Sequence, residues 1–139
     1  MRVVSSSEQY VGLVLVSHSA EIANGLAGLV AQVAGPEVPI VAAGGMPDGS
    51  FGTDGGSVLA AMRSAANGAG AVVLMDLGSS VLAVRAALGE LEPAELERIV
   101  VADAPLVEGA VAAGVTASTG ADVGEVAEAA REARSVAKL

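Results

Sequence analysis

The sequence predicts an α/β domain: a three-layer sandwich with a central, mainly parallel sheet of about four strands, order 2-1-3-4, and helices on both faces. Three observations predict it. Four short apolar runs occur, each continuous rather than alternating, as strands read when both faces are buried in a parallel sheet. Segments of helical periodicity separate the runs, and strand–helix alternation builds parallel sheets through crossover helices. The chain, at 139 residues, is long enough for one domain with a real core.

The elements follow in order. Residues 1–10 are polar at most positions and are expected to form a flexible lead, with a single domain over 11–139. The strands are Val11–Val16, Val38–Ala43, Ala71–Met75 and Ile99–Ala102. Ile22, Leu26, Leu29, Val30 and Val33 fall on one helical face behind the first strand. Gly35-Pro36 stops that helix. Val58, Leu59, Met62 and Ala66 mark a second helix, and Val81, Leu82, Val84 and Leu88 a third. A fourth is expected from Pro105 to Gly114 with Asp103 as its cap. Asp122 caps a fifth, with Glu125 answering three residues on. Its apolar side is Val123, Val126, Ala130 and Ala137.

Composition narrows the chemistry. The chain lacks cysteine, which excludes disulfides, thiolate catalysis and zinc–thiolate sites. No apolar run reaches the roughly 18 residues of a membrane helix, and the first ten residues hold no apolar signal core. A cytoplasmic location is expected, with no membrane partner. The net charge of −9 is the opposite of a nucleic-acid footprint. It suits solubility, and also encounter with a basic protein partner. One Phe, one Tyr and no Trp leave little for flavin stacking. With one histidine and scattered carboxylates, no metal-ligand cluster is evident.

Ligands of parallel sheets bind at the carboxyl ends of the strands, where strand order reverses. The residues there are Ser17-His18-Ser19, the loop from Gly44 to Thr53, Asp76-Leu-Gly-Ser-Ser80 and Asp103-Ala-Pro-Leu106. A neutral histidine is a nucleophile, and one ring nitrogen can take a phosphoryl group. A carboxylate on the other ring N–H fixes the tautomer and stabilises charge developing on the ring. With strands one and three as neighbours, Asp76 is the candidate. Gly78-Ser79-Ser80 opens a helix, whose free N–H groups and dipole suit an anion. Gly44 and Gly45 permit close backbone approach. Ser17, Ser19, Thr53 and Ser79 supply hydroxyl donors. Taken singly, each feature has a plainer reading. His18 also suits an ordinary loop residue and Asp76 a helix cap. Loop 44–53 also suits a simple turn, and Ser17 and Ser19 a helix start.

Several segments resemble one family. Val14-Leu-Val-Ser-His-Ser19 resembles the phosphohistidine motif of the phosphoryl-carrier subunits of phosphoenolpyruvate-dependent dihydroxyacetone kinases, relatives of the mannose-type enzyme IIA of the phosphotransferase system. Gly49-Ser-Phe-Gly-Thr-Asp54, Met75-Asp-Leu-Gly-Ser79, Ala104-Pro-Leu-Val-Glu-Gly109 and Ser118-Thr-Gly-Ala-Asp122 match in order, so the resemblance covers roughly 11–135. The Ala104–Gly109 segment separates this family from its sugar-transporting relatives. Ser80–Arg85 matches only loosely.

The resemblance implies that His18 takes a phosphoryl group from histidine-phosphorylated HPr and passes it to ADP on a nucleotide-binding kinase subunit. A sister subunit holds dihydroxyacetone as a hemiaminal, and the pathway is glycerol metabolism. The phosphoryl would sit on the ring nitrogen farther from the main chain, with the nearer one bonded to Asp76. This chain would bind no cofactor of its own, since ADP and ATP sit on the partner. A homodimer is implied. Some relatives continue into HPr-like and enzyme I-like domains; here separate donor proteins are expected. Two alternatives stand: enzyme IIA of a mannose-type sugar transporter, and a non-catalytic, small-molecule-binding regulatory domain.

Overall fold

β1 (Gly12–Ser17) lies inside the sheet, with all six residues buried, which requires cover on both faces. The computed structural model describes residues 9–139, so residues 1–8 of the expected lead lie outside the described residues. Beside β1 run β2 (Ile40–Gly44), β3 (Ala71–Met75) and β4 (Ile99–Val101). Every pairing is parallel, and the order is β2-β1-β3-β4, as the sequence predicts. The helices are α1 (Ala20–Ala34), α2 (Gly55–Ala65), α3 (Ser80–Gly89), α4 (Pro93–Leu96), α5 (Leu106–Ser118) and α6 (Val123–Glu132), followed by a 3₁₀ turn at Ala133–Ser135.

Successive side chains of a strand point to opposite faces, so β1 feeds two cores. Leu13 and Leu15 pack with Leu26 and Val30 of α1, Ala113 of α5 and Val126 of α6. Val14 and Val16 pack with Val58 and Met62 of α2 and Val84 of α3. Burying each such Leu or Val stabilises the fold by about 2 kcal/mol. Register then sets the site. Val16 pairs with Met75 and Ser17 with Gly44, so the carboxyl ends of β1, β2 and β3 lie level. Through α1 the chain leaves β1 for β2; through α3 it leaves β3 for β4. Those opposite departures open a crevice between β1 and β3.

Five expectations need correction. On α1 the buried face is Ala23, Leu26, Val30 and Ala34, while Ile22, Leu29 and Val33 stay half exposed. The expected five-residue face mixed two stripes about a quarter turn apart, and the sheet takes the one that includes small alanines. On α3, Val84 and Ala87 are buried but Leu82 is exposed. The helix after β4 does not stop at Gly114; it continues to Ser118. Gly114 is a packing residue, because a Cβ there would lie 2.6 Å from Cγ1 of Val30. Asp103 does not cap that helix: Pro105 holds the cap position, and Asp103 pairs with Arg134 at 3.0 Å. Asp122 does cap α6, accepting from the Glu125 N–H at 2.9 Å, but α6 ends before Ala137. The short α4 was not expected, although its Glu92-Pro93 start and the Glu95 side chain, which accepts from the Glu92 N–H at 3.0 Å, are legible capping features.

Candidate active site

His18 follows the last residue of β1, and Asp76 follows the last residue of β3. Because those strands are neighbours in register, the two side chains meet: His18 Nδ1 lies 3.0 Å from Asp76 Oδ1. An ionised carboxylate only accepts, so Nδ1 must carry the proton. Nε2 is then the ring nitrogen with the free lone pair. It lies on the outer side, 2.8 Å from Ser79 Oγ, whose O–H donates to it.

Asp76 is held from several directions. Its Oδ2 accepts from the His18 backbone N–H at 2.9 Å and from Ser17 Oγ at 2.9 Å. Its Oδ1 also accepts from the Leu77 N–H at 2.7 Å and from Ser80 Oγ at 3.0 Å. Burial by itself would push the carboxyl up. The hydrogen bonds from His18, Ser17 and Leu77 outweigh it and hold Asp76 far below the usual carboxylate range. The carboxylate is therefore a fixed negative charge under a ring that is 25% exposed. Asp76 does not cap α3; that position belongs to Ser79.

The other expected residues divide. Ser17 is fully buried, and its hydroxyl serves Asp76 and accepts from the Ser19 N–H at 3.1 Å. Ser19 caps α1 by accepting from the Ile22 N–H. Both hydroxyls thus hold the scaffold rather than reach the open rim. A Cβ on Gly44 would lie 2.5 Å from the Ser19 carbonyl oxygen, so Gly44 admits the start of α1. Gly45 has φ +73, a conformation that favours glycine, and forms a single bridge with Thr53. The loop braces His18 through its backbone: the Gly52 N–H donates to the His18 carbonyl at 2.9 Å. Gly78 is exposed at the start of α3. Ser79 is the expected phosphoryl-binding residue whose side chain touches the ring.

Ser80 was expected at the helix start, but no role was expected for its side chain. It is fully buried, and its Oγ lies 3.0 Å from Asp76 Oδ1 and 3.3 Å from His18 Nδ1. The available signal was its spacing, four residues beyond Asp76, which returns it to the same side of the rim. On the β4 side of Asp76 a cleft of about 420 Å³ opens between α3 and the end of β4, lined by Asp76, Leu77, Gly78, Arg85 and Asp103 among others. No three His, Asp or Glu side chains cluster as metal ligands among the described residues. Nor is any described helix long and apolar enough to cross a membrane.

A family model described as EIIA-man, the PTS system fructose IIA component, matches residues 12–127. The chain is 38% identical over 126 residues to the phosphoryl donor subunit DhaM of a PEP-dependent dihydroxyacetone kinase from Providencia stuartii, covering 88% of this chain. It spans only 26% of that relative's length. A DhaM of Listeria innocua is 36% identical over 105 residues, covering 76% of this chain and 84% of the relative. A solved structure described as the unknown-function protein EF1359 superposes with a TM-score of 0.76 at 33% identity, covering 86% of this chain and 92% of the other.

Proposed function

The chain belongs to the EIIA-man family, among the DhaM phosphoryl donor subunits of PEP-dependent dihydroxyacetone kinase, and from that premise we propose that His18 is a phosphoryl relay between phospho-HPr and ADP bound on the nucleotide-binding kinase subunit. The observation that carries the reading is the pairing of Nδ1 with Asp76, which leaves Nε2 as the accessible nucleophile. The Nε2 lone pair attacks phosphorus, the donor's N–P bond breaks, and its electrons return to the donor imidazole. The phosphorylated His18 ring keeps its Nδ1 proton and gains positive charge, which the Asp76 carboxylate balances. A β-phosphate oxygen of ADP then attacks the same phosphorus, the Nε2–P bond breaks, and the neutral ring returns.

Ser79 acts in both states. Its O–H donates to the free Nε2 and turns to a phosphoryl oxygen once that lone pair is used. Gly78 and the first N–H groups of α3 supply the remaining donors. The chain carries only the covalent phosphoryl group; nucleotide and dihydroxyacetone stay on the other subunits, in the cytoplasm with HPr. The half-exposed apolar stripe of Ile22, Leu29 and Val33 on α1 supports a homodimer.

The test is discharge. Chain phosphorylated on His18 and separated from HPr is mixed with ADP, with and without the kinase subunits. ATP formed only when they are present supports the relay. Transfer to a sugar-transporter IIB protein in place of ADP would overturn this choice of acceptor.

A further inference from the structure

Two adjacent serines meet opposite ends of the His18 ring. Ser79 Oγ lies 2.8 Å from Nε2, and Ser80 Oγ lies 3.3 Å from Nδ1. The Ser80 hydroxyl bonds nothing else but Asp76 Oδ1, at 3.0 Å, among the described residues. Ser80 is fully buried and is the first residue of α3. Alanine there would suit the helix better and would bury no hydroxyl. A buried serine that reaches only the reactive pair has its reason in the chemistry of that pair.

That reason lies in how Asp76 divides its charge. Each carboxylate oxygen offers about two lone pairs. Oδ1 faces three donors: the Nδ1–H of His18 at 3.0 Å, the N–H of Leu77 at 2.7 Å and the O–H of Ser80 at 3.0 Å. The oxygen is oversubscribed, so the Ser80 bond weakens the bond to the ring. Ser17 is not equivalent. Its O–H donates to Oδ2, away from the ring, and its oxygen also holds the Ser19 N–H. A phosphorylated ring is cationic. The more firmly the carboxylate holds the Nδ1 proton, the more stable that cation is, and the slower its Nε2–P bond breaks. A relay must release what it accepts.

We propose that Ser80 is a positioning residue that moderates the hold of Asp76 on Nδ1–H, so that phosphorylated His18 gives up its phosphoryl group faster than the pairing with Asp76 alone would allow. This rests on the phosphoryl-carrier reading above. The role makes opposite demands on the two half-reactions. Without the hydroxyl, the ring is charged at least as readily and discharged more slowly. A site merely loosened by the substitution would slow in both directions.

The test compares wild type with Ser80→Ala. Each is charged by enzyme I, HPr and radiolabelled phosphoenolpyruvate, then separated from HPr. Loss of label is timed in buffer, where water attacks phosphorus and the Nε2–P electron pair returns to the ring. It is timed again with ADP and the kinase subunits. Expected for Ser80→Ala is loss about threefold slower by both routes, the size of effect that redistributing part of one charge-assisted hydrogen bond gives. Charging is expected to be no slower than in wild type. His18 is the chain's one histidine, so its ring signals in isotope-edited NMR need no assignment. The Nδ1 proton is expected to move downfield in the unphosphorylated variant, as its bond to Asp76 tightens. Equal label lifetimes in the two proteins would overturn the proposal while leaving the carrier intact. So would an unmoved Nδ1 proton, or a variant that both charges and discharges more slowly. Wild type that takes no label from fully charged HPr would remove the carrier reading itself, and this role with it.

Discussion

Asp76 does two things at once: it fixes the tautomer of His18 and closes the top of the sheet between β1 and β3. Asp76→Asn keeps the shape but replaces one carboxylate oxygen with a donor NH₂, which meets the donors that now bond there. We expect phosphoryl transfer to slow by at least tenfold without vanishing, because the nucleophile remains; an unchanged rate would remove Asp76 from the mechanism. The same substitution has a stability signature. The native Asp76 carboxyl lies below its ordinary value, so its contribution is present above the unfolded value near pH 4 and is lost as pH falls toward the native one. Between about pH 5 and 3, denaturant titrations of wild type are expected to lose stability faster than those of the Asn variant, by up to one proton in the slope. Equal slopes would mean that Asp76 is not held this way. His18 and Asp76 were legible in the sequence because strand ends in a parallel sheet share one rim. Ser17 and Ser80 were not assigned their bonds, because those depend on the side-chain direction at the last strand residue and on where α3 begins.

Helices were legible in number and order better than in phase. Ile22, Leu29 and Val33 match a buried face by spacing alone, yet the sheet takes Ala23, Leu26, Val30 and Ala34. What decided it was the small surface offered by Gly44 and Gly114, which lie under Ala23 and Val30; that depends on partners distant in sequence. Gly114 reads locally as a helix stop, but in the structure it lets α5 approach α1. Two identical substitutions should therefore have opposite effects. Gly25→Ala, in open space on α1, is expected to stabilise by about 0.5–1 kcal/mol through helix propensity. Gly114→Ala gains the same propensity but drives a methyl into the buried Val30, and overpacking of that kind costs roughly 1–3 kcal/mol. Thermal denaturation should place the first above wild type and the second below it. A Gly114→Ala protein that melts higher than wild type would contradict the close packing of α1 on α5.

For the molecule as a whole, the proposed relay surface lies at the carboxyl edge of the sheet, and the half-exposed apolar stripe on α1 is the surface proposed for self-association. Light scattering during gel filtration should give the mass of a homodimer, and Leu29→Asp with Val33→Asp should give that of a monomer still able to accept phosphoryl. A wild-type monomer at micromolar concentration would remove the dimer from the account. The central claim needs only one experiment. Wild type and His18→Ala are incubated with enzyme I, HPr and radiolabelled phosphoenolpyruvate, and the label on the chain is tested for stability in acid and alkali. Acid-labile, alkali-stable label on wild type alone, with the variant folded and unlabelled, is the predicted result. Label on both proteins, or on neither while HPr is fully charged, would contradict it.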